Sequence, residues 1–316
     1  HSAWQKAQYP DPDEREVIRR RAAAGRSLRW RSDMKIASFI YKGRSLYGLV
    51  EGDTLRPVSG SKLEAFPTLR ALLDAGKLAD LPSFCTPTSV PLASVKLLPP
   101  VPHPSKVLCA GLNYKKPYPV AGATFEASDI VIFGRHDDSF VAHGQALEMP
   151  VGEAGLSYDF EGEIAAVIGT RCRHVTPEAA LKHVAGYACI NEGSVRSWQK
   201  HSIHAGKNFH ASGAWGPWMA TADETAPIEE MRLVTRVNGT VMQETTGAEM
   251  IHDLPKLISY LSNITQLNPG DVIATGSPDG TGGSRTPPAF LKPDDVVEVE
   301  VSTVGTLRNY VAHPQI

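Results

Sequence analysis

The stretch Asp159-Phe160-Glu161-Gly162-Glu163 runs directly into Ile164-Ala165-Ala166-Val167-Ile168-Gly169. The apolar run reads as a buried strand, and side chains alternate across a strand, so Glu161 and Glu163 leave its mouth on one face. Two carboxylates about 4 Å apart repel by roughly 4 kcal/mol at an effective dielectric near 20. A hard divalent cation such as Mg²⁺, held by oxygen ligands and keeping positions for water or substrate, answers that repulsion. For an E-x-E taken alone, a solvated pair at a strand end is the plainer alternative.

A second apolar run reaches a carboxylate in Tyr187-Ala188-Cys189-Ile190-Asn191-Glu192-Gly193-Ser194-Val195-Arg196. Neighbouring strands lie about 4.8 Å apart, so Glu192 can join Glu161 and Glu163 as a third metal ligand. Further segments fall in order along the chain: Met34 to Phe39, Lys106 to Tyr114, Gly206-Lys207, Gly216-Pro217-Trp218, Val237-Asn238-Gly239, Pro269 to Pro278 and Gly305 to Asn309. Together they resemble the fumarylacetoacetate hydrolase superfamily, whose metal ligands come from an E-x-E strand and an N-D-x-S-x-R segment. The resemblance implies an α+β, β-rich fold, a mixed β-sandwich roll preceded by a small N-terminal α/β domain. It also implies a homodimer.

Three departures stand out. The family's hydrolases carry a water-activating histidine three residues after the tyrosine of G-x-N-Y, with a glutamate close behind. Here that position is Pro117, and Pro119 follows; proline moves no proton and opposes a short helix. Glu192 stands where the family generally has aspartate. Arg135 stands where a lysine is common, and its planar fork suits a carboxylate.

Composition agrees with a soluble cytoplasmic enzyme. The 316 residues are 42% hydrophobic, with a formal net charge of −2 and a pI near 6.6, which gives no bias towards nucleic acid or acidic membranes. No apolar run reaches the length of about 18 residues that a membrane span needs. The four cysteines, Cys85, Cys109, Cys172 and Cys189, are widely spaced and read as reduced core thiols.

Residues 1–33 form a charged extension containing Arg19-Arg20-Arg21 and Arg29-Trp30-Arg31, and carry no part of the functional argument. Residues 34–104 read as the small N-terminal domain and its proline-rich linker, with strands over Ile36 to Tyr41 and Ser45 to Glu51 and a helix near Thr68 to Ala75. Residues 105–316 read as the catalytic domain, rich in short β-branched runs, with helices at Pro177 to His183 and Ala248 to Leu261. Gly276 to Gly283 looks like a phosphate loop, yet it lacks the Gly-Lys-Ser/Thr ending and runs into Arg285-Thr286-Pro287-Pro288. His201, His204 and His210 share one segment, but their spacing alone does not make a metal site.

Three carboxylates and a cation (Mg²⁺, or Mn²⁺, which takes the same oxygen ligands) suit a small-molecule 2-oxo acid, because the cation can act as electron sink when a bond to carbon 3 breaks. The resemblance implies catalytic roles for Lys207 and Gln199 and substrate-binding roles for Arg135, Tyr114 and Ser277. Arg196 is expected to brace the metal loop by pairing with a carboxylate. The reaction expected first is hydrolysis of a carbon-carbon bond in an acylpyruvate or related diketo acid. A histidine from another loop (His136, His143, His204 or His210) would then replace the missing base; His210, three residues after Lys207, leads. Decarboxylation, isomerisation and hydration use the same electron sink, and the first two need no water nucleophile. A catalytically silent, metal-stabilised binding protein is the reading from another class.

Overall fold

The computed structural model describes residues 34–115 and 129–314. The expectations for residues 1–33 and for the Pro117–Pro119 loop fall outside the described residues.

Alternation of buried side chains organises the architecture. The strand Gly162–Ile168 is buried along its whole length. Its even positions, Ile164, Ala166 and Ile168, pack into one apolar cluster with Leu233, Val299, Leu307 and Leu254. Its odd positions, Ala165 and Val167, pack into another with Leu69, Leu72, Trp215 and Met219. Both faces are therefore covered, which is why the run is continuously apolar instead of alternating.

This strand lies inside a large mixed sheet in which Lys35–Tyr41, Gly213–Thr221, Val184–Asn191, Gly162–Ile168, Val272–Ala274, Val107–Gly111 and Val131–Arg135 are successive neighbours. The N-terminal hairpin joins it through Lys35–Tyr41, which pairs antiparallel with Gly213–Thr221. A second sheet, Thr240–Thr246, Arg232–Val237, Val296–Val301, Gly305–Val311 and Ala146–Leu147, packs on the even face. Two layers around a shared apolar interior make the β-sandwich roll.

Local chemistry explains several turns. Tyr41 pairs with Arg44 across Lys42-Gly43, and Val237 with Thr240 across Asn238-Gly239; all four turn residues have positive φ. That is the two-residue hairpin turn whose twist matches the flanking strands. The expected helix near Thr68 is Leu69–Asp74, with the Thr68 side chain accepting the Ala71 N–H. The proline-rich linker contributes the two-residue strands Val90–Pro91 and Lys96–Leu97, joined by a 3₁₀ turn over Leu92–Ser94.

One helix needs correction. The expected span Ala248 to Leu261 is instead a short 3₁₀ turn, Gly247–Glu249, followed by a helix over Leu254–Ile264. Asp253 caps it by accepting the Lys256 N–H, and Pro255 sits in its first turn. Asp-Leu-Pro is a helix-start signature, so this boundary was readable in the residues themselves.

All four cysteines are free thiols, and all but Cys85 are buried. No helix among the described residues is long and apolar enough to cross a membrane.

Candidate metal and substrate site

The antiparallel register pairs Gly162 with Asn191, so one further step sets Glu161 opposite Glu192. There the Glu192 N–H donates to the Glu161 carbonyl at 2.7 Å, and the Glu161 N–H donates to Asn191 Oδ1 at 3.0 Å. The glycine between the two acids is a packing requirement. A Cβ on Gly162 would sit 1.9 Å from Thr235 Oγ1 of the second sheet. Gly193, beside Glu192, is equally constrained, since its Cβ would meet the Ser212 carbonyl at 1.8 Å.

Glu161, Glu163 and Glu192 converge: each offers an oxygen, and these atoms lie within 4.8 Å of one another, all on buried residues. They line a cavity shared with Arg196, Gln199, Lys207, Ser277 and Thr281 and with apolar walls from Val131, Phe133 and Ile203. Lys207 ends the short helix Ile203–Lys207, whose Ser202 cap accepts the Ala205 N–H. Its ammonium donates to Glu161 Oε2 at 2.5 Å and Glu192 Oε2 at 2.8 Å, over the Phe133 ring. Arg196 NH1 lies 2.5 Å from Glu161 Oε1, and Arg196 Nε donates to Asp159 Oδ2 at 2.8 Å. The bracing expected of Arg196 is what its geometry shows.

Burial acts against the charge of Glu161, but Lys207 and Arg196 override it and hold this carboxyl at about 2. Glu163 goes the other way: burial, then the charges of Glu192 and Glu161, push it well above the ordinary 4.5. The Gly276 N–H donates to its Oε2 at 2.8 Å. Lys207 is drawn down by burial, yet Glu161 and Glu192 raise it above its ordinary value. So the site's own charges favour the neutral form of Glu163 and the ammonium form of Lys207.

That arrangement yields a pH prediction. A folded-state value raised above the unfolded one contributes stability below about pH 4.3 that is lost as pH rises through the folded value. Thermal melts of metal-stripped protein should therefore show the melting temperature falling as pH rises above that point, and Glu163→Gln should flatten the fall. A melting temperature that instead rises with pH and is insensitive to this substitution would count against the assignment.

The Gly276 to Gly283 segment that mimics a phosphate loop turns its amides on the protein's own acids. Besides Gly276 on Glu163, the Gly282 and Gly283 N–H groups donate to Asp159 at 2.7 and 2.9 Å. Asp159 thereby anchors Arg196 and this loop together, a role with no local spacing to announce it, because Arg196 lies 37 residues away and Gly282 lies 123 away.

Three expected site residues lie elsewhere. Arg135 is buried and donates to Ser139 Oγ, the Gly193 carbonyl and Ser212 Oγ at 3.1 Å each; it braces the segment after Glu192 and is not in the cavity wall. Tyr114 is buried beside Met250, outside the lining, with burial and the Glu163 charge keeping its phenol protonated. His210 lies past the end of the Ile203–Lys207 helix, with a side chain 67% exposed and 4.0 Å from Asp138. His136 and His204 are exposed and stack edge to face, and His143 Nδ1 accepts the Arg308 N–H. No histidine lines the cavity among the described residues. Gln199 and Ser277 do line it, with Gln199 Oε1 accepting from Arg196 at 3.4 Å and Ser277 Oγ from Gln243 at 2.8 Å.

Two mutations separate these roles. His210→Ala should leave turnover within about twofold, as expected for an exposed side chain whose loss shifts stability by roughly 0.5 kcal/mol or less. Arg135→Met should destabilise the protein by about 3 kcal/mol, because the carbonyl and hydroxyls it serves are left buried and unpaired. Denaturant melts read the second, and a loss below about 1 kcal/mol would refute the bracing role.

A model of the fumarylacetoacetate (FAA) hydrolase C-terminal domain matches residues 106–312, and an Rv2993c-like N-terminal model matches residues 34–100. The chain belongs to the fumarylacetoacetate hydrolase family. It is 33% identical over 224 residues to the oxaloacetate tautomerase YisK of Bacillus subtilis, covering 70% of this chain and 74% of that protein. Among solved structures, a fumarylacetoacetate hydrolase from Exiguobacterium antarcticum is similar with a TM-score of 0.76 and 30% identity, over 88% of this chain and 99% of that one. A 2-hydroxyhepta-2,4-diene-1,7-dioate isomerase from Mycobacterium marinum is similar with a TM-score of 0.71 and 28% identity, over 89% and 98%. Family membership therefore spans proteins named as tautomerase, isomerase and hydrolase, and the choice among them rests on the residues of this cavity.

Proposed function

We propose that this protein interconverts the keto and enol forms of a small 2-oxo acid at a divalent cation. The observation that carries the reading is the composition of the cavity: three convergent carboxylates and a buried lysine, with no histidine among the described lining residues. Residues 116–128, outside the described set, contain no histidine either. The expected order of reactions is thus reversed: hydrolysis needs an activated water, while tautomerisation needs only one proton moved between carbon 3 and the 2-oxo oxygen.

The residues present fit a cation. Glu161, Glu163 and Glu192 are hard oxygen donors, Glu192 Oε1 is buried without a hydrogen-bond partner, and four acids counting Asp159 face two bases. A divalent cation held there would supply Lewis-acid polarisation of the 2-oxo carbonyl, a duty Mg²⁺ and Mn²⁺ share.

Lys207 is the group that moves the proton. Its ammonium is sustained by Glu161 and Glu192 against a burial that favours the neutral amine. Once those carboxylates are engaged elsewhere, the burial effect is left to dominate, and Nζ falls towards the range in which it gives and takes protons. The neutral Nζ takes the proton from carbon 3, becoming an ammonium, and then gives that same proton to the 2-oxo oxygen, so the amine is regenerated; the reverse sequence returns the keto acid. The Val131, Phe133 and Ile203 walls limit water around that exchange.

Enol absorbance of oxaloacetate, followed with and without Mg²⁺ or Mn²⁺, tests the reading against acylpyruvate cleavage in parallel. Cation-dependent acceleration of the keto-enol exchange, without matching cleavage, is the expected result. Faster acylpyruvate cleavage would return the site to hydrolysis, and inactivity on both would leave a binding protein.

A further inference from the structure

The geometry points to Thr281 as a substrate-positioning residue, its hydroxyl donating a hydrogen bond to a carboxylate oxygen of the 2-oxo acid. This deepens the tautomerase reading and rests on it. Thr281 lines the cavity and is 1% exposed, yet its Oγ1 is buried without a hydrogen-bond partner. A buried hydroxyl left unpaired is destabilising, whereas a valine of nearly the same shape would bury an apolar group at no such cost. An unsatisfied hydroxyl in the wall of a ligand cavity is accounted for by a partner that arrives with the ligand.

The surrounding loop holds the hydroxyl in place. The Thr281 carbonyl accepts the Ser284 N–H at 3.2 Å and Ser284 Oγ at 2.9 Å. Next in the chain, the Gly282 N–H is spent on Asp159 and the Gly282 carbonyl accepts the Ala289 N–H at 2.9 Å. A Cβ on Gly282 would lie 2.3 Å from the Ala289 carbonyl and 2.7 Å from Asp159 Oδ1, so the backbone there is packed tightly. Asp159 in turn bonds Arg196, which reaches Glu161. Thr281 is therefore rigidly referenced to the acidic cluster through one bonded chain. Pre-organisation of this kind is what lets a single hydroxyl fix a substrate's orientation.

The other neutral side-chain oxygens of the wall are already engaged. Ser277 Oγ accepts from Gln243 Nε2 and donates to the Pro278 carbonyl, and Gln199 Oε1 accepts from Arg196. A 2-oxo acid offers acceptor oxygens and no donor at its acid end, so the hydroxyl donates and the carboxylate accepts, the stronger charge-assisted form of the bond.

Thr281→Val and Thr281→Ser test this, with oxaloacetate tautomerisation for kinetics and pyruvate titrated into Mn²⁺-supplemented protein for binding. In Thr281→Val, KM and the pyruvate Kd should rise about 10- to 100-fold. Its kcat should change less than about threefold and its melting temperature should hold or rise. Thr281→Ser should stay within about threefold of the parent, since the hydroxyl is kept. A Thr281→Val protein with unchanged KM and Kd, while the parent binds pyruvate, overturns the role of Thr281 and leaves the tautomerase reading standing. A lower melting temperature with unchanged Kd assigns the hydroxyl to the fold and likewise overturns it. A parent protein that neither binds pyruvate nor turns over oxaloacetate overturns both.

Discussion

Glu161→Gln is expected to lower cation-dependent turnover by about 10³-fold or more while the protein still folds. Lewis-acid stabilisation of a developing oxyanion is worth several kcal/mol, and each 1.4 kcal/mol is about tenfold in rate. The amide keeps the shape of the carboxyl but removes the charge, so packing against Ser194 and the backbone bonds to Glu192 and Asn191 survive. Lys207 and Arg196 would then lose a shared partner, which moves the metal-free protein's stability as well. The diagnostic pair of readings is turnover across a Mn²⁺ titration and a circular-dichroism melt. Near-normal turnover at saturating Mn²⁺ in a folded variant would remove Glu161 from the site.

The second large effect is expected at Lys207. Lys207→Met should reduce turnover by about 10² to 10⁴-fold, the usual contribution of a positioned proton-transfer group. The methionine fills most of the space beside Phe133, so the loss is chemical more than steric. In the metal-free state Glu161 and Glu192 would face each other without their shared ammonium, and the melting temperature should fall, then recover when Mn²⁺ is added. Lys207→Arg should fail to rescue turnover, because a guanidinium keeps its proton. Rescue by arginine would show that position 207 supplies charge and not a proton.

What the sequence made legible was chemistry tied to short spacing. Glu161 and Glu163 share a face because a strand has period two, and Glu192 follows from the next strand ending in an acid. What stayed hidden was set by contacts distant in sequence. Asp159 gathers Arg196 from 37 residues away and the Gly282 and Gly283 amides from 123 and 124 away, and Arg135 is drawn to Gly193 and Ser212 by the packing of three segments. His210 misled because a spacing of three from Lys207 implies a shared face only while a helix continues. The helix stops at Lys207, and Asn208 then bonds the His136 N–H and the Gly134 carbonyl, leading the chain away from the cavity.

The same contrast bears on the reaction. The resemblance led to the expectation that Pro117 stands where the family's hydrolases carry a histidine, and whether another loop supplies one depended on where His136, His143, His204 and His210 came to rest. None of them lines the cavity. A site with these acids and this lysine, and no imidazole among the described lining residues, is suited to moving a proton on an activated 2-oxo acid, and less suited to generating a nucleophilic water.

Proton NMR in D₂O tests this most directly, following exchange of the carbon-3 hydrogens of 2-oxobutyrate with protein and Mn²⁺ present. The account predicts cation-dependent washout of the carbon-3 signal with the carbon skeleton intact, lost in Glu161→Gln and in Lys207→Met. Absence of exchange above the protein-free rate, alongside cation-dependent cleavage of an acylpyruvate, would contradict it.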